Sequence, residues 1–380
     1  MLHRKLFASL LALMLFAAAC GSDDGDAEAA ETDVSTETET DAADDAETDE
    51  VEEEPVEDTP AAIEDATVVR LLTHDSFSVS DGLFDAFTLE TGVDVEVIRG
   101  GDAGELVARS ILNVGSPEGD VLFGIDNTFL QRGLDADLFV PHESAGLDTV
   151  PDELELDPEF RVTPIDVGDV CVNFWTDQLD AVPTSLDDLT DPAFASTFVT
   201  QDPESSSPGF AFLLATIARY GEDGWEDYWQ QLADGGISVT SGWSDAYFGE
   251  FIAGGGDKAI VTSYASSPVA EVLFATEELD TSPTGVLEDS CFRQIEFAGV
   301  LAGTEVPEAA GQLIDFMLSE TFQADIPLNM FVAPANAEVE VPASFSDFAV
   351  IVDDPLTLNP AEIEANRSAW TERWAEIVLR

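Results

Sequence analysis

The feature that most constrains this chain is an alternation between Ala66 and Asn127. ATVVRLLTHDSF (66–77) reads as a buried strand running into a polar turn, and SDGLFDAFTLETG (80–92) as a helix with a Gly stop. VDVEVIRGG (93–101) reads as a second strand, GELVARSILNVGS (104–116) as a helix and GDVLFGIDN (119–127) as a third strand. Strand, helix, strand, helix, strand implies an α/β domain around a parallel sheet. In such sheets ligands bind beyond the carboxyl ends of the strands. Those ends carry Thr73-His74-Asp75-Ser76, Gly101-Asp102-Ala103 and Asp126-Asn127, so three strands deliver an Asp to one edge. Any one of these Asp residues also suits a helix N-cap. The candidate site is therefore the edge, with Asp75, Ser76, Asp102, Ala103, Asp126 and Asn127 as its members.

A second unit of the same kind begins near Val167. FVTQDPESSSPG (198–209) is a strand leading into Ser205-Ser206-Ser207-Pro208-Gly209, and the helix FAFLLATIARYG (210–221) starts at once. Ser206 and Ser207 beside free backbone N–H groups form an anion or hydroxyl site, although one Ser would serve as a plain cap. Trp225, Tyr228 and Trp229 recur at helical spacing in 224–236 and read as core. The strand ISVT stops at Ser241-Gly242 with Trp243 at the turn, and a helix is predicted from Asp245. Within that segment alone, Trp243 and Tyr247 are equally readable as core packing or as the wall of a ligand site. The strand AIVTSY then ends at Tyr264, and Ala265-Ser266-Ser267-Pro268 opens another helix. Two α/β lobes with a cleft between them are expected. The chain returns through the strand QIEFAGVL, helices in PEAAGQLIDFMLSETFQADI and a capped amphipathic helix over 359–380. Trp370 and Trp374, four apart, are predicted to pack on the core. The expected limits are 67–165 and 286–380 for lobe 1 with its C-terminal helices, and 166–285 for lobe 2.

The first 66 residues read as processing and linker sequence. A basic head, His3-Arg4-Lys5, precedes an apolar run from Leu6 to Ala19, too short for a comfortable span and suited to a signal peptide over 1–20. Small residues before Cys20 resemble a bacterial lipobox, which would make Cys20 the lipidated residue. Residues 21–66 are Asp, Glu, Ala, Thr and Ser, a composition expected to form a disordered acidic tether. The whole chain carries 13 Lys and Arg against 79 Asp and Glu, a net charge of −66. That balance argues against nucleic acid as a partner, because nothing would neutralise phosphates. It fits a solvated surface adapted to salt, and equally attraction of a cationic ligand. Cys171 and Cys291 remain once Cys20 is set aside, and in an exported domain they read as one disulfide, with a free nucleophilic thiol as the alternative. His3, His74 and His142 lack metal-ligand spacing, so no metal and no cofactor is expected.

The segments LLTHDSF, DVLFGIDN, QDPESSSPGF, SGWSDAY, VTSYASSPVA, FMLSETFQADIP and NPAEIEANRSAWTERW stand in an order and spacing that resembles the thiamine-binding proteins of bacterial ABC transporters. The resemblance runs over about 67–380. It implies the type II periplasmic binding fold, with two crossovers and the ligand in the hinge cleft. It also implies capture of thiamine or its phosphates by a monomeric, lipid-anchored protein on the extracytoplasmic face, delivery to a permease, and no catalysis. Carried over residue by residue, ligand contacts fall on Asp102 and Ala103, on Ser206 and Ser207, on Trp243, and on Tyr264, Ala265, Ser266 and Ser267. On this reading Trp243 touches ligand and Tyr247 is wall or core. The family's two ring-sandwiching aromatics correspond here to Ala270 and to Asn329-Met330-Phe331, so Met330 or Phe331 is expected to supply one face. His74 stands where the family usually has Tyr. The rival readings are a polyamine receptor of the same fold and a thiaminase-like enzyme, which would need a free Cys171 or Cys291. A ferric-ion receptor would want clustered Tyr, and Tyr220, Tyr228, Tyr247 and Tyr264 include no adjacent pair.

Overall fold

The computed structural model describes residues 67–251 and 255–380. The signal segment, Cys20 and the tether predicted for 1–66 lie outside the described residues. The strands are β1 (Thr67–Thr73), β2 (Val93–Arg99), β3 (Val121–Asp126), β4 (Phe139–Val140), β5 (Thr163–Trp175), β6 (Phe198–Gln201), β7 (Ser238–Thr240), β8 (Ile260–Tyr264), β9 (Thr284–Leu301) and β10 (Ala333–Pro334). The helices of the first half are α1 (Leu83–Thr91), α2 (Ala103–Leu112), α3 (Leu130–Asp135), α4 (Pro192–Ala195), α5 (Ser207–Tyr220) and α6 (Trp225–Gly235). Those of the second half are α7 (Ser267–Leu273), α8 (Pro307–Met317), α9 (Glu320–Gln323), α10 (Ile326–Asn329), α11 (Ala343–Ser346) and α12 (Pro360–Val378).

The sheet order is β2-β1-β3-β9-β5-β8-β6-β7. The βαβαβ pattern has produced what it demands: β1 lies parallel to both β2 and β3. The second unit repeats the arrangement, with β6 parallel to both β7 and β8. Two long antiparallel strands, β5 and β9, join the halves. The end of β9 pairs with β3, and the end of β5 pairs with β8. These two strands are the crossovers of a two-lobed molecule, and both are buried along most of their length. The strand predicted as QIEFAGVL is the second half of β9.

The predicted core aromatics are in place. Trp225, Tyr228 and Trp229 on α6 are buried, and so are Trp370 and Trp374 on α12. Trp374 meets Trp229 edge to face with centroids 5.5 Å apart, a favourable arrangement of the ring quadrupoles. Arg367 of α12 places its guanidinium 4.1 Å from the Phe129 ring centroid and 4.0 Å from that of Phe210, and donates to the Thr128 carbonyl.

Cys171 of β5 and Cys291 of β9 are joined in a disulfide. Val170 pairs with Phe292, but the next paired residue, Val172, faces Leu287. Residues 288–291 therefore bulge from β9, and the disulfide closes the bulge against β5. Neither thiol is free, which removes the nucleophile that the enzyme reading requires. The helix predicted from Asp245 is instead a six-residue π-helix, Asp245–Glu250. Its wider turn alters which side chains share a face.

Candidate functional site

The two sets of strand ends meet around a cavity of about 580 Å³. That lies within the roughly 300–1,000 Å³ typical of small-molecule sites. Of the residues expected at the site, Asp75, Ser76, Asp102, Ala103, Ser207, Trp243, Tyr264, Ser267 and Phe331 line it. Ser206, Ala265, Ser266, Asp126 and Asn127 do not; they form the layer behind the wall.

Asp102 is the residue on which the closed cleft turns. As the N-cap of α2 it accepts from its neighbour Ala103 N at 2.7 Å. The same carboxylate reaches across to lobe 2, accepting from Trp243 N at 2.8 Å and Ser207 N at 3.3 Å. One side chain thus caps a lobe 1 helix and ties down two lobe 2 turns. Burial raises its pKa to about 6 despite these three N–H donors. Gly104 stands against the same seam. A Cβ there would come within 2.6 Å of the Ser205 carbonyl oxygen and 2.8 Å of that of Glu204. Only glycine lets the two lobes approach so closely at this point.

Trp243 and Tyr247 stack with centroids 4.9 Å apart and an interplanar angle of 20°. The indole Nε1 donates to Ser263 Oγ at 3.0 Å, and that hydroxyl in turn bonds Ser267 Oγ at 2.7 Å. The Tyr247 hydroxyl donates to Glu271 Oε1 at 2.5 Å. Both aromatics line the cavity, and Tyr247 is at the same time buried in a small core cluster with Val199, Ala246, Phe251 and Val261, against which Trp243 packs; the pair is a pre-stacked wall rooted in the core.

The residues behind the wall hold it in place. Asp126 accepts from the Ser207 hydroxyl, from Thr128 Oγ1 at 2.6 Å and from Gln294 Nε2 at 3.0 Å. Asn127 donates to the Arg293 carbonyl at 3.0 Å and accepts from Ile295 N at 2.8 Å, which locks β3 onto β9. Ser266 donates to the carbonyl of Phe331, a residue held at φ 57°. Ala265 packs beside the disulfide.

Several lining residues were not singled out in the sequence: Phe77, Phe248, Glu271, Phe274, Gln294 and Glu296 among them. Glu271 and Phe274 could have been found from spacing, since they lie one helical turn beyond Ser267 and Ala270 on α7. Phe274 meets Phe331 with ring centroids 5.8 Å apart. Glu296 could have been found as a lone charge inside an apolar strand.

The lining carries four carboxyl groups, Asp75, Asp102, Glu271 and Glu296, and neither Lys nor Arg. His74 adds no charge: burial first, and Arg99 second, lower its pKa to about 4. Aromatic faces with carboxylates and without a competing cation make a site for an organic cation.

Comparisons with known proteins agree with this geometry. Residues 116–350 match the model of the bacterial extracellular solute-binding protein family. The chain is 30% identical to the thiamine-binding periplasmic protein of Escherichia coli K12, over 82% of this chain and 94% of that protein. It is 28% identical to the thiamine-binding periplasmic protein of Brucella suis, over 82% of this chain and 92% of the other. Among solved structures, a periplasmic thiamin binding protein matches with a TM-score of 0.73 at 29% identity, covering 82% of this chain and 96% of that one. The two-lobed periplasmic binding architecture expected from the sequence is the one observed.

Proposed function

The chain belongs to the bacterial extracellular solute-binding proteins, and on that premise we propose that its cleft captures thiamine or a thiamine phosphate and delivers it to an ABC permease. The observation that carries this reading is the cavity lining: a Trp243–Tyr247 stack and four carboxyl groups, with no Lys or Arg. Thiamine is a thiazolium cation joined to an aminopyrimidine, with a hydroxyethyl tail. The rings suit the aromatic wall, and the fixed positive charge adds about 0.5–2 kcal/mol of cation–π attraction. Asp75, Ser76, Asp102, Ala103, Ser207, Trp243, Tyr264, Ser267 and Phe331 are the contact residues of this reading. Ser206, Ala265, Ser266, Asp126 and Asn127 support them from behind. The protein acts by binding and lobe closure rather than by catalysis. It works as a monomer with lobe limits at 67–165, 166–285 and 286–380, anchored through Cys20 by its acidic tether.

Isothermal titration of residues 67–380 with thiamine, its mono- and pyrophosphate and spermidine tests the reading. Saturable thiamine heat is the expected result. Spermidine heat without any thiamine response would replace it with a polyamine receptor.

Closure has its own test. Gly104→Ala places a methyl group against two lobe 2 carbonyls. Overpacking of this kind costs about 1–3 kcal/mol, or roughly 5- to 150-fold in affinity. The clash falls on the folded protein as well, and the helix preference of Ala over Gly, about 1 kcal/mol, offsets part of it, so stability should fall by less than affinity. Thiamine affinity equal to that of the parent protein would show that the lobes need not meet at this seam.

A further inference from the structure

One of the four lining carboxyl groups, Glu296, has behind it a second buried acid, Asp166, that the function so far leaves unused. Glu296 lines the cavity, and Asp166 lies directly opposite it in the β5–β9 register. Residues so paired in an antiparallel sheet hold their Cβ atoms about 4.5–5.5 Å apart. Asp166 is 1% exposed and Glu296 9%. Neither carboxyl oxygen of Asp166 meets a hydrogen-bond donor. On its other side Asp166 pairs with Pro334 of β10, which has no N–H to offer.

The surroundings supply no countercharge. From the end of β1, His74 Nε2 stands 3.7 Å from Glu296 Oε1, and its burial keeps the ring neutral. The β2–α2 turn presents Asp102 and β3 presents Asp126, both acidic. The β8 end presents Tyr264, whose hydroxyl burial holds protonated. The neighbouring cations are engaged elsewhere. Arg293 is bound to Asp169 at 2.5 Å, Arg99 to the Phe77 carbonyl at 3.1 Å, and Arg367 to Glu364 at 3.0 Å. Two carboxylates side by side in such a place cannot both ionise without a cation.

We infer that Glu296 and Asp166 share one proton in the ligand-free protein, and that an organic cation entering the cavity expels it to solvent and takes its place. The inference rests on the thiamine reading and deepens it: the pair selects for fixed positive charge and couples uptake to pH. No bond other than O–H changes. The proton leaves the carboxyl pair for the buffer, and the ligand's permanent charge compensates the carboxylate left behind. Burial raises both groups, Asp166 to about 7, and repulsion from Asp166 and Asp126 adds to the rise at Glu296. While the pair holds a proton, that proton must be removed before the cation can bind, so the association constant rises with pH, by up to ten-fold per unit for each proton held, until the pair ionises in the free protein.

Two measurements decide the matter. Thiamine is titrated into the protein at pH 7 in phosphate and in Tris, whose ionisation enthalpies differ. The expected result is a buffer-dependent heat corresponding to release of about half to one proton. Glu296→Gln should bind thiamine more weakly, with no buffer dependence. Asp166→Asn should still bind, with the release reduced, because Glu296 then lacks its acidic neighbour. A purely structural role for the pair would leave the two buffers indistinguishable. Independently of ligand, infrared difference spectra of the free protein should show a protonated carboxyl band near pH 7 that Glu296→Gln loses and Asp166→Asn weakens. Absence of that band overturns the shared proton. Thiamine binding with equal heats in both buffers overturns the exchange alone, whereas no thiamine binding at all overturns the thiamine reading beneath it.

Discussion

Trp243→Ala is expected to weaken thiamine binding by about 30- to 1,000-fold, corresponding to the roughly 2–4 kcal/mol carried by a central aromatic anchor. The size of the effect comes from how firmly the indole is held before ligand arrives. It is stacked on Tyr247, its Nε1 is bonded to Ser263, and its backbone N–H is bonded to Asp102 of the opposite lobe. With its backbone anchored and its side chain fixed at two points, the indole loses little rotamer entropy on binding, so its contact energy reaches the ligand undiminished. Trp243→Phe separates the contributions. It retains an aromatic face and loses the Nε1 bond, worth about 0.5–1.5 kcal/mol, so it should bind about ten-fold more weakly than the parent. Trp243 is only half-buried, and calorimetric melting of Trp243→Ala should show a much smaller change than its titration. Affinity within about three-fold of the parent would mean that the aromatic wall is a structural feature that ligand does not touch.

What could be read in the sequence, and what could not, follows the range of the forces involved. β1, β2 and β3, with α1 and α2 between them, are written in local periodicity and in the glycines that stop them. β5 is not. TPIDVGDVCVNFW contains Pro164, Gly168, Asp166 and Asp169, which weaken any strand pattern. It becomes a buried strand because β8 and β9 flank it, and no local signal records them. The strand-end Asp residues divide for a similar reason. Asp102 and Asp126 look alike in sequence, yet Asp102 bridges the lobes while Asp126 turns inward beneath Ser207. Which way each points depends on pleat and register. The pairing of Glu296 with Asp166 is a register fact in the same sense, since 130 residues of chain separate them. The relation of Trp243 to Tyr247 depends on the π-helix, whose wider turn no propensity argument anticipates.

Replacing Cys171 and Cys291 together by Ala is expected to lower the unfolding free energy by about 4–5 kcal/mol while changing thiamine affinity by less than ten-fold. The disulfide spans a sequence separation of 120 residues. In the chain-entropy account a loop of about 100 residues contributes about 4.7 kcal/mol, by limiting the unfolded ensemble. The loop so closed runs from β5 to β9 and includes β6, β7 and β8 with α5, α6 and α7, nearly all of lobe 2. In the folded protein those ends are already held together by β5–β9 pairing on both sides of the bridge, at Val170 with Phe292 and at Val172 with Leu287. Loss of the covalent link should therefore act mainly through the unfolded chain. Both sulfurs are buried beside Ala265, and Ala in their place leaves only a small gap there. The urea midpoint should fall markedly. A parallel fall in thiamine affinity would carry a different meaning. Ala265 bonds backbone to backbone with Asp169 at 2.9 Å and with Val350 at 2.9 Å, and it leads directly into the Ser266-Ser267 turn of the cavity wall. Loss of affinity on the scale of Trp243→Ala would mean that the bridge positions this turn. The disulfide would then belong to the site as well as to the stability of the lobe.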